Sequence, residues 1–260
     1  LSFFHGNLLG SFLHVSLSCI AMPVSFHIRE RVGELKGSVL ITGFHGLGAT
    51  GYISVKHMVA SLKAELIGYI ETSNTPPFVT MDEEKLTLPF EIFRYGKLIF
   101  VLTEMPPHPK DRYEFSKSLA DWSMDCGFSS AYLVGGLDNR LRTNEEDKIR
   151  CAPTSRFLKE NKVDIPILER GLFVVGPLAT MLTRYEIMDF PAIALLPYAN
   201  PARPDPLAAS VAVDYLNKVF NLSIDVSQLI KDAQKIEAEI QEISRRRQER
   251  VRSEHRAMYI

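Results

Sequence analysis

Residues 38–51 read SVLITGFHGLGATG, and this stretch decides the fold. Ser38 to Thr42 is a short apolar, β-branched run that ends in Gly43, and Ala49 to Leu62 then carries Val55, Met58, Val59 and Leu62 at helical spacing. The order strand, glycine loop, helix is the opening unit of an α/β domain.

The same alternation continues downstream. Glu65 to Ile70 predicts a second strand, and Pro76-Pro77 breaks the chain after it. Phe90 to Arg94 and Leu98 to Leu102 flank Tyr95-Gly96-Lys97, which predicts a hairpin with Gly supplying the tight turn. From Asp111 to Cys126, Phe115, Leu119, Trp122 and Cys126 recur at steps of four, three and four, so an amphipathic helix faces a sheet and stops at Gly127. Ala131 to Val134 is a strand running into Gly135-Gly136, whereas Leu137 to Ala152 is polar and charged and reads as a surface excursion. Gly176 to Met188 is helix-sized, and Ala192 to Leu196 is apolar. Asp205-Pro206 opens a helix that runs to about Phe220, with Asp as N-cap and Pro where its missing N–H is not needed. Residues 38–220 therefore predict one α/β domain with helices on both faces of a sheet, and the hairpin makes that sheet mixed.

The tail is a separate unit. Asp225 caps a segment in which Leu229, Ala233, Ile236, Ile240 and Ile243 step by four, three, four and three, a short heptad seam. Arg245, Arg246, Arg247, Arg250, Arg252 and Arg256 then stand against Glu249 and Glu254, six minus two, a local excess of four positive charges. A helix over residues 225–257 would extend roughly 50 Å and reach beyond the globular body. Met258-Tyr259-Ile260 follows, an end that offers an aromatic ring and a carboxylate to a preformed pocket. The arginines can meet nucleic acid or an acidic protein surface. Nucleic-acid binding adds interleaved aromatics or a basic domain, and the tail has neither, so a protein partner is favoured.

Composition narrows the function classes. The 260 residues are 46% hydrophobic, enough for a sizeable core, and 30 Lys+Arg against 31 Asp+Glu give no global field toward nucleic acid or an anionic membrane. Cys19, Cys126 and Cys151 form neither a disulfide framework nor a zinc motif, so no metal is expected and a reducing cytoplasm fits. Residues 1–21 lack the positive n-region of a secretory signal and are too often interrupted for a membrane span of about 20 apolar residues. The expected organisation is a poorly ordered upstream extension over 1–21, an α/β domain over 22–222 and a helical tail over 223–260.

Gly46, Gly48 and Gly51 match G-x-G-x-x-G between a strand and a helix, with Glu71 about twenty residues on, as in a dinucleotide fingerprint. Against that reading, Gly43-Phe44-His45 intervenes between strand and fingerprint. The glycines then serve only to let the loop turn and the helix pack. His45 with Glu71 and Glu104 could form an acid–base group at one sheet edge, while His108, between Pro107 and Pro109, reads as a loop residue.

From about Gly37 to Ile243 the chain resembles the proteasome assembly chaperone family in its archaeal form. The matching stretches are Gly43 to Gly51, Leu66 to Glu71, Pro76 to Val79, the hairpin, Leu133 to Leu137, Gly176-Pro177-Leu178, Ala194 to Pro197, and Asp205 with its helix. The resemblance implies a three-layer α/β/α sandwich like that of purine nucleoside phosphorylases, with a protruding C-terminal helix, no catalytic residues and no cofactor. It implies a homo-oligomeric, ATP-independent assembly chaperone or activator, and the charge balance and cysteines add the expectation of a cytoplasmic protein that engages neither nucleic acid nor membrane. It also implies a hydrophobic-tyrosine-any-residue end that docks between α-subunits of the proteasome core particle. Met258 would take the hydrophobic position, Tyr259 the tyrosine and Ile260 the terminal carboxylate. The rival is an enzyme or binding protein for a nucleotide or nucleoside through the Gly43–Gly51 loop. A third reading has the tails pair with each other as an oligomer scaffold.

Overall fold

The strand, loop and helix of residues 38–51 are present in the computed structural model, which describes residues 24–29, 32–82 and 84–240. The strands are β1 (Val24–Ile28), β2 (Val39–Gly43), β3 (Glu65–Thr72), β4 (Thr80–Asp82), β5 (Lys85–Thr87), β6 (Phe90–Tyr95), β7 (Leu98–Thr103), β8 (Ser130–Val134), β9 (Leu137–Asp138), β10 (Ile149–Pro153) and β11 (Ala192–Ala199). The helices are α1 (Thr50–Ser61), α2 (Arg112–Asp125), α3 (Ser155–Glu160), α4 (Pro177–Ile187) and α5 (Pro206–Phe220), followed by α6 over 227–240.

One mixed sheet runs β1-β3-β6-β7-β2-β8-β11-β10, with β9 also pairing β11, and β4 and β5 form a separate two-stranded sheet. Its centre, β7, β2, β8 and β11, is parallel. Antiparallel strands complete both wings. Parallel strands need cover on both faces, and every residue from Leu98 to Thr103 and from Ala192 to Ala199 is buried. Along β11 the alternation separates two cores. Ala192, Ala194, Leu196 and Tyr198 join Phe115 and Leu119 of α2 and Met181 and Tyr185 of α4. Ile193 and Leu195 join Val55 and Met58 of α1 and Ala212 and Leu216 of α5. Helices therefore lie on both faces of a mixed sheet, as the alternation predicts.

The excursion expected over Leu137 to Ala152 is corrected at its end. Ile149, Arg150 and Cys151 are buried in β10, antiparallel to β11. A charged residue disguises this strand: the Arg150 guanidinium donates to Asp147 Oδ2 at 2.7 Å, Glu169 Oε1 at 2.8 Å and the Tyr198 hydroxyl at 3.2 Å, which offsets the cost of its burial. The sequence reading also omitted β1, which closes one sheet edge against β3, and the β4–β5 hairpin.

The heptad seam begins inside the body. Leu229 is buried in the α1–α5 core, Ala233 and Ile236 are half-buried, and Ile240 is exposed. The upstream extension expected over residues 1–21, Ile243 and the arginine run lie outside the described residues.

Two glycines set how closely α1 approaches the sheet. A β-carbon on Gly51 would stand 2.3 Å from the Val134 carbonyl oxygen, and one on Gly43 would stand 2.5 Å from the Gly51 Cα. Only bare backbone fits between β2, β8 and the first turn of α1. Gly51→Ala gains about 1 kcal/mol of helix propensity but meets this overlap, so a net loss of about 2 kcal/mol is expected as a lower urea midpoint. Gly46→Ala, with nothing within 4 Å of its added carbon, is expected to stay within about 0.5 kcal/mol of the parent.

Candidate functional site

The carboxyl ends of β7, β2, β8 and β11 share one edge of the sheet, because these strands are mutually parallel. Open α/β sheets place ligands at such an edge. The loop after β2 divides two environments there. Phe44 packs into the α2–α4 core, while His45 stacks on Tyr52 of α1 with ring centroids 4.1 Å apart.

His45 opens a polar cluster. The Tyr52 hydroxyl donates to Glu104 Oε2 at 2.7 Å, and Lys56 Nζ donates to the same Glu104 oxygen and to the Tyr52 oxygen, both at 2.9 Å. Tyr52 and Lys56 are one helical turn apart, so both reach the carboxylate at the end of β7. The Glu104 side chain is only 10% exposed. Burial lowers the His45 pKa from its ordinary value, with Glu104 opposing and Lys56 adding to the shift. Burial pushes the Tyr52 pKa up against the Lys56 hydrogen bond. Burial alone would lower the Lys56 pKa, but its bonds to Tyr52 and Glu104 raise it overall. His45 Nδ1 is buried without a hydrogen-bond partner among the described residues.

The glycine loop faces a carboxylate. Gly48 has φ +61°, and a β-carbon there would lie 2.9 Å from Asp205 Cβ. Its carbonyl accepts from the Asp205 amide at 2.8 Å, and the Asp205 carboxylate caps α5 by accepting from the Ala208 amide at 3.0 Å. Gly46 is exposed and Gly51 is buried against β8. Glu71 ends β3, three strand spacings from β2, about 14 Å across the sheet, and pairs with His27 at 3.1 Å. The fold thus brings His45 and Glu104 together, adds Tyr52 and Lys56, and keeps Glu71 apart from both the cluster and the glycine loop. His108 lies in the loop after β7, where its Nδ1 accepts from the Lys110 amide at 3.3 Å. No group of three or more His, Cys, Asp or Glu suited to hold a metal ion occurs among the described residues. No helix among them is long and apolar enough to cross a membrane.

On the other side of the loop lies an apolar cavity of about 270 Å³, walled by Phe44, Leu47, Gly136, Phe173, Val175 and Leu178 among others. Farther along, the base of α6 is fixed to the body. Asn217 bonds both the Ile224 carbonyl and the Ile224 amide, at 2.9 and 3.1 Å. His57 Nε2 donates to the Asp225 carbonyl at 2.8 Å, and Arg203 donates to Glu237 at 2.6 Å. Met258, Tyr259 and Ile260, the expected docking residues, lie outside the described residues.

The spacing of Tyr52 and Lys56 was visible in the sequence as an i, i+4 pair. Nothing local connects them to Glu104, nearly fifty residues away.

Comparison with known proteins gives a family. Residues 40–244 match the model of the PAC2 family, and the chain belongs to that family. An uncharacterised protein of Methanocaldococcus jannaschii is 23% identical over 211 residues, covering 81% of this chain and 87% of the relative. Among solved structures, Pyrococcus furiosus PbaA, described as an archaeal homolog of proteasome-assembly chaperone, is similar with TM-score 0.75 and 23% identity, over 92% of this chain and 100% of its own. Pyrococcus furiosus PbaB, described as an archaeal proteasome activator, is similar with TM-score 0.71 and 19% identity, over 85% and 99%. These structural likenesses establish a shared fold.

Acid sensitivity tests the His45 environment. Because its folded pKa lies below the ordinary value of 6.5, His45 carries no protonation penalty while neutral in both states. As pH falls below 6.5 the unfolded chain takes up the proton first, so stability declines. His45→Phe keeps a ring for stacking and removes the unpartnered nitrogen. It is expected to match or exceed the parent at pH 7 and to show a shallower loss in urea unfolding below about pH 6.5.

Proposed function

We propose that this PAC2 family member is an ATP-independent, non-enzymatic partner of the proteasome core particle, acting as an assembly chaperone or activator, and that it docks through Met258-Tyr259-Ile260. The observation that carries this reading is the fold it shares with two proteins described as a chaperone homolog and a proteasome activator. The anchored base of α6 supports it: a helix keyed to the body by Leu229, Asn217 and Arg203 is a rigid start for a segment that must reach a distant pocket.

The proposed chemistry is simple. Tyr259 supplies a ring for burial and a hydroxyl for a hydrogen bond. The Ile260 carboxylate supplies a charge-assisted contact with a pocket lysine, worth about 1.5–3 kcal/mol. One tail binds weakly, and several tails on a homo-oligomer raise avidity by roughly 10²- to 10⁴-fold when they span neighbouring pockets between α-subunits. A nucleotide ligand at the Gly43–Gly51 loop has less support, because the Asp205 carboxylate stands beside Gly48 and Glu71 is remote.

Tyr259→Ala, or removal of Tyr259 and Ile260, is expected to abolish capture of core particles and stimulation of their peptide hydrolysis, with the urea midpoint unchanged. Undiminished capture by the truncated chain refutes the docking role.

A further inference from the structure

The segment between α3 and α4 behaves as a strand with no partner. Leu172 and Val174 turn inward against the α2–α4 core, whereas Phe173 and Val175 turn outward, 78% and 69% exposed. Their alternation has the period of a strand, yet the amides of Phe173, Val174 and Val175 make no hydrogen bond among the described residues. Phe173 is the most exposed large hydrophobic side chain among those residues. Beside it opens the cavity of about 270 Å³, whose opposite wall is the glycine loop at Gly46 and Leu47. A cavity of about 150 Å³ accepts benzene, so this one has room for a phenyl ring.

We propose that two copies of the chain meet face to face at this patch about a two-fold axis, the Phe173 ring of each entering the cavity of the other. Knob and hole lie side by side on one surface, which is the self-complementarity that an isologous contact requires.

Charge permits a second copy. No Asp, Glu, Lys or Arg occurs between Gly171 and Thr183 or between Phe44 and Val55, so no like charges are forced together across the axis. The nearby Asp138 and Arg140 already pair with each other. Among the described residues that wall the cavity, Asp138 is the one charged side chain and Arg140 already engages it, so convergent polar contacts to orient a small ligand are few.

Area agrees with this. Phe173, Val175, Leu47 and Leu141 expose on the order of 400 Å² of apolar surface. At an apolar share of about 60%, that corresponds to roughly 650 Å² per copy, within the ~600–1,000 Å² per partner of a standard-size interface. The proposal specifies the oligomer contact that the tail-docking reading needs for its avidity, but the contact itself does not involve the tail.

Sedimentation equilibrium of the full chain across the micromolar range tests it. The parent is expected to self-associate, and Phe173→Glu to weaken that association at least ~30-fold, as loss of a central anchor does. Gly46→Leu approaches from the other side: φ is negative and nothing lies within 4 Å of its β-carbon, so the leucine has space to fill the cavity mouth and weakens association in the same direction. Circular dichroism verifies each fold, and Val175→Asp replaces Phe173→Glu if that variant fails to fold. A monomeric parent, an unchanged Phe173→Glu protein, or a Gly46→Leu protein that associates normally overturns the pairing. Tyr259→Ala separates the two readings, since it removes core-particle capture without changing the measured mass, whereas Phe173→Glu leaves each single tail competent to bind.

Discussion

Burial of β7, β2, β8 and β11 on both faces governs the remaining architecture, because parallel strands are joined by crossovers and their apolar side chains project above and below the sheet. Two helix layers follow from it: α1 and α5 against Ile193 and Leu195, α2 and α4 against Ala192, Ala194 and Leu196. Close approach of α1 then demands bare backbone at Gly43 and Gly51. The antiparallel strands extend the sheet on both sides, β3 being reached through α1 and β10 being joined to β11 through α3 and α4, and the β10 wing can hold Arg150 because that strand lies where Asp147 and Glu169 reach it.

The same constraint concentrates chemistry at one edge. With four strands ending together, the loop after β2 becomes a partition. His45 turns toward Tyr52, Lys56 and Glu104, and Phe44 and Leu47 turn toward an apolar cavity. The polar side ties α1 to the end of β7 and leaves His45 Nδ1 and the neighbouring Thr103 Oγ1 without a hydrogen-bond partner among the described residues. The apolar side is open and bordered by Phe173 and Val175.

Much of this was legible in the sequence because it depends on neighbours along the chain. The β-branched run before Gly43, the stripe of Phe115, Leu119 and Trp122, and Asp205-Pro206 each predict an element that the structure contains. Elements that depend on distant partners were harder to read. Arg150 and Lys148 disguise β10, whose burial is tolerable only with Glu169 and Tyr198 in place. The in-out alternation of Leu172 to Val175 was present in the sequence, but its exposure depends on what α4 and the glycine loop leave uncovered.

By itself the sequence determined the α/β class, the glycine-bounded loop, the helices α1, α2, α4 and α5 with the Asp205 cap of the last, and the seam that starts the tail, since local periodicity and backbone preference act within a few residues. Only the tertiary structure decided strand order. It set the β6–β7 hairpin between β2 and β3, which separates Glu71 from the glycine loop and delivers Glu104 to Tyr52 and Lys56. Strand neighbours are chosen by which pairing buries the most apolar surface on both faces, a property of the assembled sheet that no single segment encodes.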